Sequence, residues 1–252
     1  MSALSHPVRS TTFRSIFTKS NEGNQTMKMT NAFLVLALAC FSGCAFQVPL
    51  SNNLSVSPQP ITGSKLPLNV GLVIDAQTKN FQKKIRPSGI GAKVHTFCFS
   101  VGEELSKSIL RASEASFEKV TVLESLPKSP SKDFDAYLIA QDLTADIQIH
   151  YANTGTAIAF GLIGQMMNPI HSTDSSALSL SVRMVDAHFN SIYSSSILGK
   201  GSSDVPSSMT GIKPAEFSGG VNDAMQDLTK NFMTEILTSQ KIKDYAKSIK
   251  TI

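Results

Sequence analysis

The sequence predicts an α/β (α+β) domain: a mixed β-sheet with helices packed on one face, preceded by a signal peptide and a flexible tether. Three observations predict it. Short, branched apolar runs of strand length recur between turn residues, two segments carry apolar residues at helical spacing, and a charged-then-apolar leader precedes them all. A chain of 252 residues with 41% hydrophobic content suffices for one core, and once the leader is discounted it suggests one domain rather than two.

From Met27 the chain reads MKMTNAFLVLALACFSGCAF, with Lys28 as a short basic region and Ala32 to Phe41 as a nearly continuous apolar run. That run is too short for a spanning helix, which needs about 20 apolar residues, and it has the layout of an export signal. Ser42 and Gly43 directly before Cys44 resemble the lipobox of bacterial lipoproteins, with Phe41 departing from the usual aliphatic residue. A competing cut before Cys40 places Ala37, Leu38 and Ala39 in the same positions, where bulky Leu38 fits the small site less well. The lipobox resemblance implies lipidation of Cys44, because only a thiol supplies the nucleophile for a diacylglyceryl group. One acyl chain binds a membrane reversibly, so stable anchoring takes two or more chains. A plain secretory signal or a buried apolar segment is the bland alternative. Residues 1–26, rich in Ser and Thr with Arg9 and Arg14, have the composition of a transit peptide, but they precede a complete signal with its own Met27 and read as an extension from a misplaced start. The expected division is therefore 1–26 extension, 27–43 signal peptide, 44–66 lipidated tether and 67–252 a single periplasmic domain.

The elements of the domain follow in order. Phe46 to Pro67, broken by Asn52, Asn53, Pro58, Pro60 and Gly63, reads as the tether. Leu68 to Ile74 is a buried strand bounded by Pro67 and Asp75, and Lys93 to Phe99 a second. Ser100 with Glu103 three residues on forms the pairing of a capping box, and Val101, Leu105, Ile109, Ala112 and Ser116 continue as a helix stripe. Glu118 to Ser125 alternates as a third strand, and Asp135 to Tyr151 is long enough to be a central one. Ser179 to Asp186 and Ser191 to Gly199 suit a hairpin turning near Asn190. Lys200 to Pro214 reads as a loop. Val221, Met225, Leu228, Phe232 and Ile236 form the buried stripe of a closing helix, with Ile242, Tyr245 and Ile249 in a final helical piece.

The SGC cysteine, LPLNVGLVI, FCFSVGEELSKSIL followed by FEKVTVLES, then FDAYLIAQDL, SLSVRMVD and SILGKGSS together resemble the YajG-type periplasmic lipoproteins. More broadly the pattern is similar to the small α/β domains of secretion-associated lipoproteins, such as curli or exopolysaccharide export components. It covers most of residues 66–250 as an order of elements, without a specific motif. The resemblance implies an accessory or structural envelope protein and an architecture better than a job.

One stretch stands apart. Gly155 to Met167 (GTAIAFGLIGQMM) has no charge and lies between two expected strands. It reads either as a buried helix or Gly-rich connection, or as a contact with membrane or with other copies of the chain through Ile158, Phe160, Leu162 and Ile163. Its length excludes a single-helix crossing and leaves an interfacial or re-entrant contact.

The remaining chemistry is sparse. His95, His150, His171 and His188 form no pair at metal-ligand spacing. Cys98, between Phe97 and Phe99, reads as an inert strand thiol. No Gly-x-Ser-x-Gly elbow occurs, and the Gly-rich pieces SGIGAK and LGKGSS lack phosphate-loop spacing and read as turns. Asp142 and Asp146 read as solvent-facing strand residues. The net charge of +4 is carried largely by the leader: Arg9, Arg14, Lys19 and Lys28 against Glu22 precede Cys44, which leaves 19 basic and 18 acidic side chains after it. No nucleic-acid footprint follows from that balance. The expectation is thus a non-enzymatic lipoprotein with no cofactor and no metal, anchored at the outer membrane and facing the periplasm, with the inner membrane as the alternative. Its expected partners are the membrane itself and other envelope proteins, with homo-oligomerisation open. A lipid- or glycan-binding module is the second reading.

Overall fold

The computed structural model describes residues 46–49, 54, 56, 64–88, 95–151, 171–206 and 214–250. Cys44 and the stretch 155–167 lie outside them, as do Ile158, Phe160, Leu162 and Ile163. Two compact units divide between Cys44 and Ala45, and everything described belongs to the second.

The main sheet has five strands in the order β5-β2-β6-β7-β8. Strand β2 (Leu66–Ile74) lies parallel to both β5 (Phe117–Leu123) and β6 (Ala136–His150). Strands β7 (His171–Asp186) and β8 (Ser191–Pro206) continue antiparallel as a long hairpin. A second sheet joins β1 (Phe46–Pro49), β4 (His95–Phe99) and β3 (Lys83–Ile85), with β1 parallel and β3 antiparallel to β4. Helices α1 (Ala76–Lys79), α2 (Val101–Ser116), α3 (Gly219–Thr238) and α4 (Gln240–Lys250) complete the unit, with a 3-10 turn over Pro214–Ser218. This is the expected mixed sheet with its long helices on one side.

The core lies between that face of the sheet and the helices. The whole expected stripe of α3, from Val221 through Met225, Leu228 and Phe232 to Ile236, is buried against Leu178, Leu180, Val182 and Met184 of β7 and their neighbours. Helix α2 buries Val101, Leu105, Ile109 and Ala112 in the same cluster. On the opposite face a smaller cluster of Val73, Tyr137, Ile139 and Val185 is covered by Leu123, Leu126, Phe134 and Phe189.

Several expectations need correction. Ser100 stands at the N-cap of α2, but its side chain makes no capping bond, so the capping box does not form. The strand at His95–Phe99 belongs to the second sheet rather than the main one. Lys200–Pro206, read as loop, forms the last seven of the 16 residues of β8. The polar stretch after Asp75 contains α1, with the Asp75 carboxylate accepting from the Thr78 amide, and then β3. The segment read as a tether is fastened to the domain at three points: Phe46–Pro49 pairs with β4, and Leu54 and Val56 are buried.

The hairpin turn falls where expected. The Asp186 carboxylate accepts from the backbone amides of His188 and Asn190, each at 2.8 Å, and Phe189 takes a positive φ of 67°. Burial is the largest single effect and acts upward, but these bonds, the Asn190 side chain and the nearby His188 together outweigh it and hold the Asp186 carboxyl below its usual range.

Candidate functional site

The two ends of the main sheet carry different chemistry. At one end β6 finishes at His150, β7 begins at His171 and β8 finishes at Pro206. Ser88 bridges to His150 and extends β3 toward the same end. Because β4 runs antiparallel to β3 and β1 parallel to β4, the chain also enters the domain there, at Phe46. The His150 end therefore gathers the start of β1 with Tyr151 and His171, the nearest described residues before and after the stretch 155–167.

An aromatic group closes the core at this end. Phe97 of β4, Tyr151 and Phe217 approach one another with ring centroids 5.3 to 6.5 Å apart. Burial pushes the Tyr151 phenol up to about 12. The rings cement β4 and the 3-10 turn to the end of β6.

His150 lies with Nδ1 2.8 Å from the Ser88 hydroxyl, and both residues are exposed. A nucleophilic serine needs a histidine base that a third group orients. Among the described residues no hydrogen bond joins His150 to a carboxylate, so two members of such a set meet without the third. His188 stands at the other end of the sheet, in the hairpin turn, 38 positions along the chain. No group of three or more His, Cys, Asp or Glu side chains among the described residues could hold a metal ion. Cys98 is a half-buried free thiol opposite Pro49 and Lys84. Asp142 and Asp146 are both exposed, and a bulge between Gln141 and Thr144, with Asp142 at φ 55°, separates them in register.

The Leu66 end, where β2 begins, holds a groove of about 640 Å³. Ser64, Lys65, Leu66 and Pro67 form one wall, the end of α3 at Leu237 and Thr238 a second, and α4 contributes Lys243, Ala246, Lys247 and Lys250. Nothing in the sequence analysis singled this out, because Lys65 is far from the other three lysines in the chain. The signal available was the alternation of Lys243, Lys247 and Lys250 with Ile242, Tyr245 and Ile249 on one short helix.

No family model matches the chain, and no curated protein matches it. Among solved structures, it is similar to a neuraminyllactose-binding hemagglutinin homolog from Helicobacter pylori at 14% identity, covering 79% of this chain and 100% of that one, with a TM-score of 0.42. A minor lipoprotein from Acinetobacter baumannii matches at 11% identity over 69% of this chain and 93% of its own, with a TM-score of 0.39. A hypothetical protein from Chlamydia trachomatis matches at 13% identity over 73% and 99%, with a TM-score of 0.33. No helix among the described residues is long and apolar enough to cross a membrane.

Proposed function

We propose that the chain is a bacterial envelope lipoprotein, anchored by acyl chains on Cys44 and acting without catalysis as an accessory or structural component of an envelope or secretion assembly. The observation that carries this reading is the convergence at the His150 end. Phe46, two residues after Cys44, begins β1 there, and Tyr151 and His171, the nearest described residues before and after the stretch 155–167, stand at the same end. Two residues of chain span at most about 7 Å, so an anchor on Cys44 would attach within that reach of the start of β1. An acyl anchor and an apolar segment presented together supply the two membrane signals that stable attachment requires. In this reading Ile158, Phe160, Leu162 and Ile163 contact the membrane or a second copy of the chain, and the sheet stands away from the lipid surface. Ala45 after the lipidated cysteine favours the outer membrane where enteric sorting rules apply.

The test is intact mass and membrane fractionation of the full chain expressed in a bacterium, beside Cys44→Ala and Cys40→Ala. The expected product starts at residue 44, carries acyl mass and sediments with membranes, and Cys44→Ala alone loses all three properties. An unmodified soluble product from the native chain would sink the reading. Fluorophores on Ile158→Cys and Phe160→Cys then read the apolar stretch: quenching by lipid-borne nitroxides is expected, and labels that are buried yet never quenched by lipid remove the membrane contact.

A further inference from the structure

We propose that the groove at the Leu66 end binds a single-chain amphiphile with a phosphate headgroup, the phosphate held by the lysine rim and the chain lying on the apolar floor. The groove itself owes nothing to Cys44, but the choice of a monomeric ligand over the anchoring membrane rests on the lipoprotein reading.

The ammonium groups of Lys65, Lys243 and Lys250, with Lys247 beside them, line one depression, and among the described residues that line it none is acidic. Part of this charge has an ordinary explanation. Lys247 and Lys250 stand in the last turn of α4, where cations complement the helix dipole. Lys243 and Lys65 have no such role. Lys243 stands in the first turn of α4, where the dipole disfavours a cation and no acid is present, and Lys65 precedes β2 on a different element. The carbonyl end of α3 at Thr238 offsets part of the charge, since no basic residue occupies its own last turn. Charges of one sign brought together from two separate parts of the chain raise the local potential and favour a multivalent anion, and lysine serves phosphate as a point charge.

The floor decides what else the ligand carries. Leu66 and Ala246 are buried beneath the rim, and Pro67 and Leu237 are half-buried beside them. A free inorganic anion has no use for that surface, whereas an acyl chain gains with each methylene it buries. The volume matches the range of small-molecule pockets, a few hundred to about 1,000 Å³. Geometry makes the ligand a monomer rather than part of the anchoring membrane. Strand β6 alone covers 15 residues, about 45 Å at the usual rise, between its start and the His150 end, and Leu66 lies beyond that start.

The experiment is isothermal titration of the full-length protein, held in phosphatidylcholine nanodiscs, with hexanoyl lysophosphatidic acid, the matching lysophosphatidylcholine and inorganic phosphate, each corrected against empty discs. The lysophosphatidic acid is expected to bind at least tenfold more tightly than either other probe. Lys65→Glu with Lys243→Glu is expected to weaken it at least tenfold with an unchanged circular dichroism spectrum, and exposed Lys250→Glu provides the same test without risk to the core. Thr238→Trp keeps every lysine, fills the groove and is expected to abolish lipid binding. Equal binding of the choline lipid would reduce the site to apolar contact, and equal binding of inorganic phosphate would make it a simple anion site. Either result, absence of binding, or an undiminished affinity in both lysine variants would overturn the proposal.

Discussion

Oδ2 of Asp174, on β7, accepts a hydrogen bond from the backbone N–H of Gly220 at 2.8 Å, so a strand carboxylate caps the first turn of the helix lying over it. The residue is fully buried, and among the described residues Oδ1 has no hydrogen-bond partner. Burial pushes its carboxyl up to about 6 from an ordinary 3.8, helped by the charge of Asp223 on α3. The Gly220 bond opposes the rise. So does the nearby Ser176 hydroxyl, which lowers the carboxyl by proximity although its geometry falls short of a hydrogen bond.

Asp174 makes the domain more stable in mild acid than at neutral pH. A carboxyl whose folded value exceeds its unfolded one binds more protons when folded, so its contribution is full below pH 3.8 and is lost as pH rises through about 6. A rise of this size corresponds to at most about 3 kcal/mol. Asp174→Asn keeps an oxygen for the Gly220 amide and removes the titration. Urea melts of the two proteins between pH 4 and 7 should show the variant gaining stability relative to the native chain as pH rises; parallel profiles would remove the claim.

Gly199 and Gly201 allow α3 to rest directly on β8. A Cβ on Gly199 would stand 2.2 Å from the Ala224 carbonyl oxygen and 2.5 Å from the Leu228 amide, and one on Gly201 would stand 2.2 Å from the Gly220 carbonyl oxygen. These neighbours are backbone, so helix and strand must separate. Overpacking of this kind costs about 1–3 kcal/mol. Gly199→Ala and Gly201→Ala should each lower the thermal midpoint by several degrees. Gly219→Ala, which first meets the Ser203 side chain at 2.5 Å, should cost less.

The same contact explains what was legible in the sequence. Val182, Leu180 and Leu178 alternate inward as apolar residues, and the hairpin was visible over that part of β7. Toward the His150 end the inward positions become Ser172, Asp174 and Ser176, paired with Val205, Ser203 and Gly201 on β8, and Gly199 lies opposite Leu178. A helix that approaches so closely needs small residues beneath it, and their polarity erases the period-two apolar signal, so Lys200 to Pro206 read as loop. The α3 stripe remained visible because its own side chains are large. The short strands β1 and β3 escaped because each consists of only a few residues, and pairing with β4 is a tertiary fact. The Lys65 groove escaped for the same reason. Cys44 and the stretch 155–167 were singled out from sequence, and both lie outside the described residues.

Strand β8 is an edge of the main sheet, and α3 covers its middle. The Asp227 carboxylate accepts from the Lys200 amide at 3.0 Å, and the Asn231 side chain donates to the Leu198 carbonyl at 2.8 Å. Leu198 itself is 55% exposed. Removing both covers leaves an amide and a carbonyl free beside an apolar side chain, the arrangement that templates strand pairing. Asp227→Ala with Asn231→Ala should therefore self-associate in sedimentation velocity runs where the native chain does so less, and should lose about 1 kcal/mol per bond. Adding Leu198→Lys should reverse the association. Continued association in that triple variant would place the contact elsewhere.

Helix α4 is fastened to the sheet side through Tyr245, whose hydroxyl donates to the Asp135 carbonyl at 2.5 Å, and through buried Ile242 and Ala246. Burial pushes the Tyr245 phenol up to about 12, with the charges of Asp186 and Asp135 acting in the same direction. Its folded value exceeds the ordinary 10.0, so its contribution is full below pH 10 and falls as pH climbs toward 12. Tyr151 and Tyr193 are raised to about 12 as well and add to the alkaline loss. Tyr245→Phe removes the hydrogen bond and should cost about 1 kcal/mol at pH 7. Hydrogen exchange should localise the effect, with faster exchange in α4 and little change in α2. The penalty should shrink between pH 10 and 12, because the native phenol is itself becoming unfavourable there. A cost spread evenly over the domain, or one that grows with pH, would show that Tyr245 does not hold α4 in place through this bond.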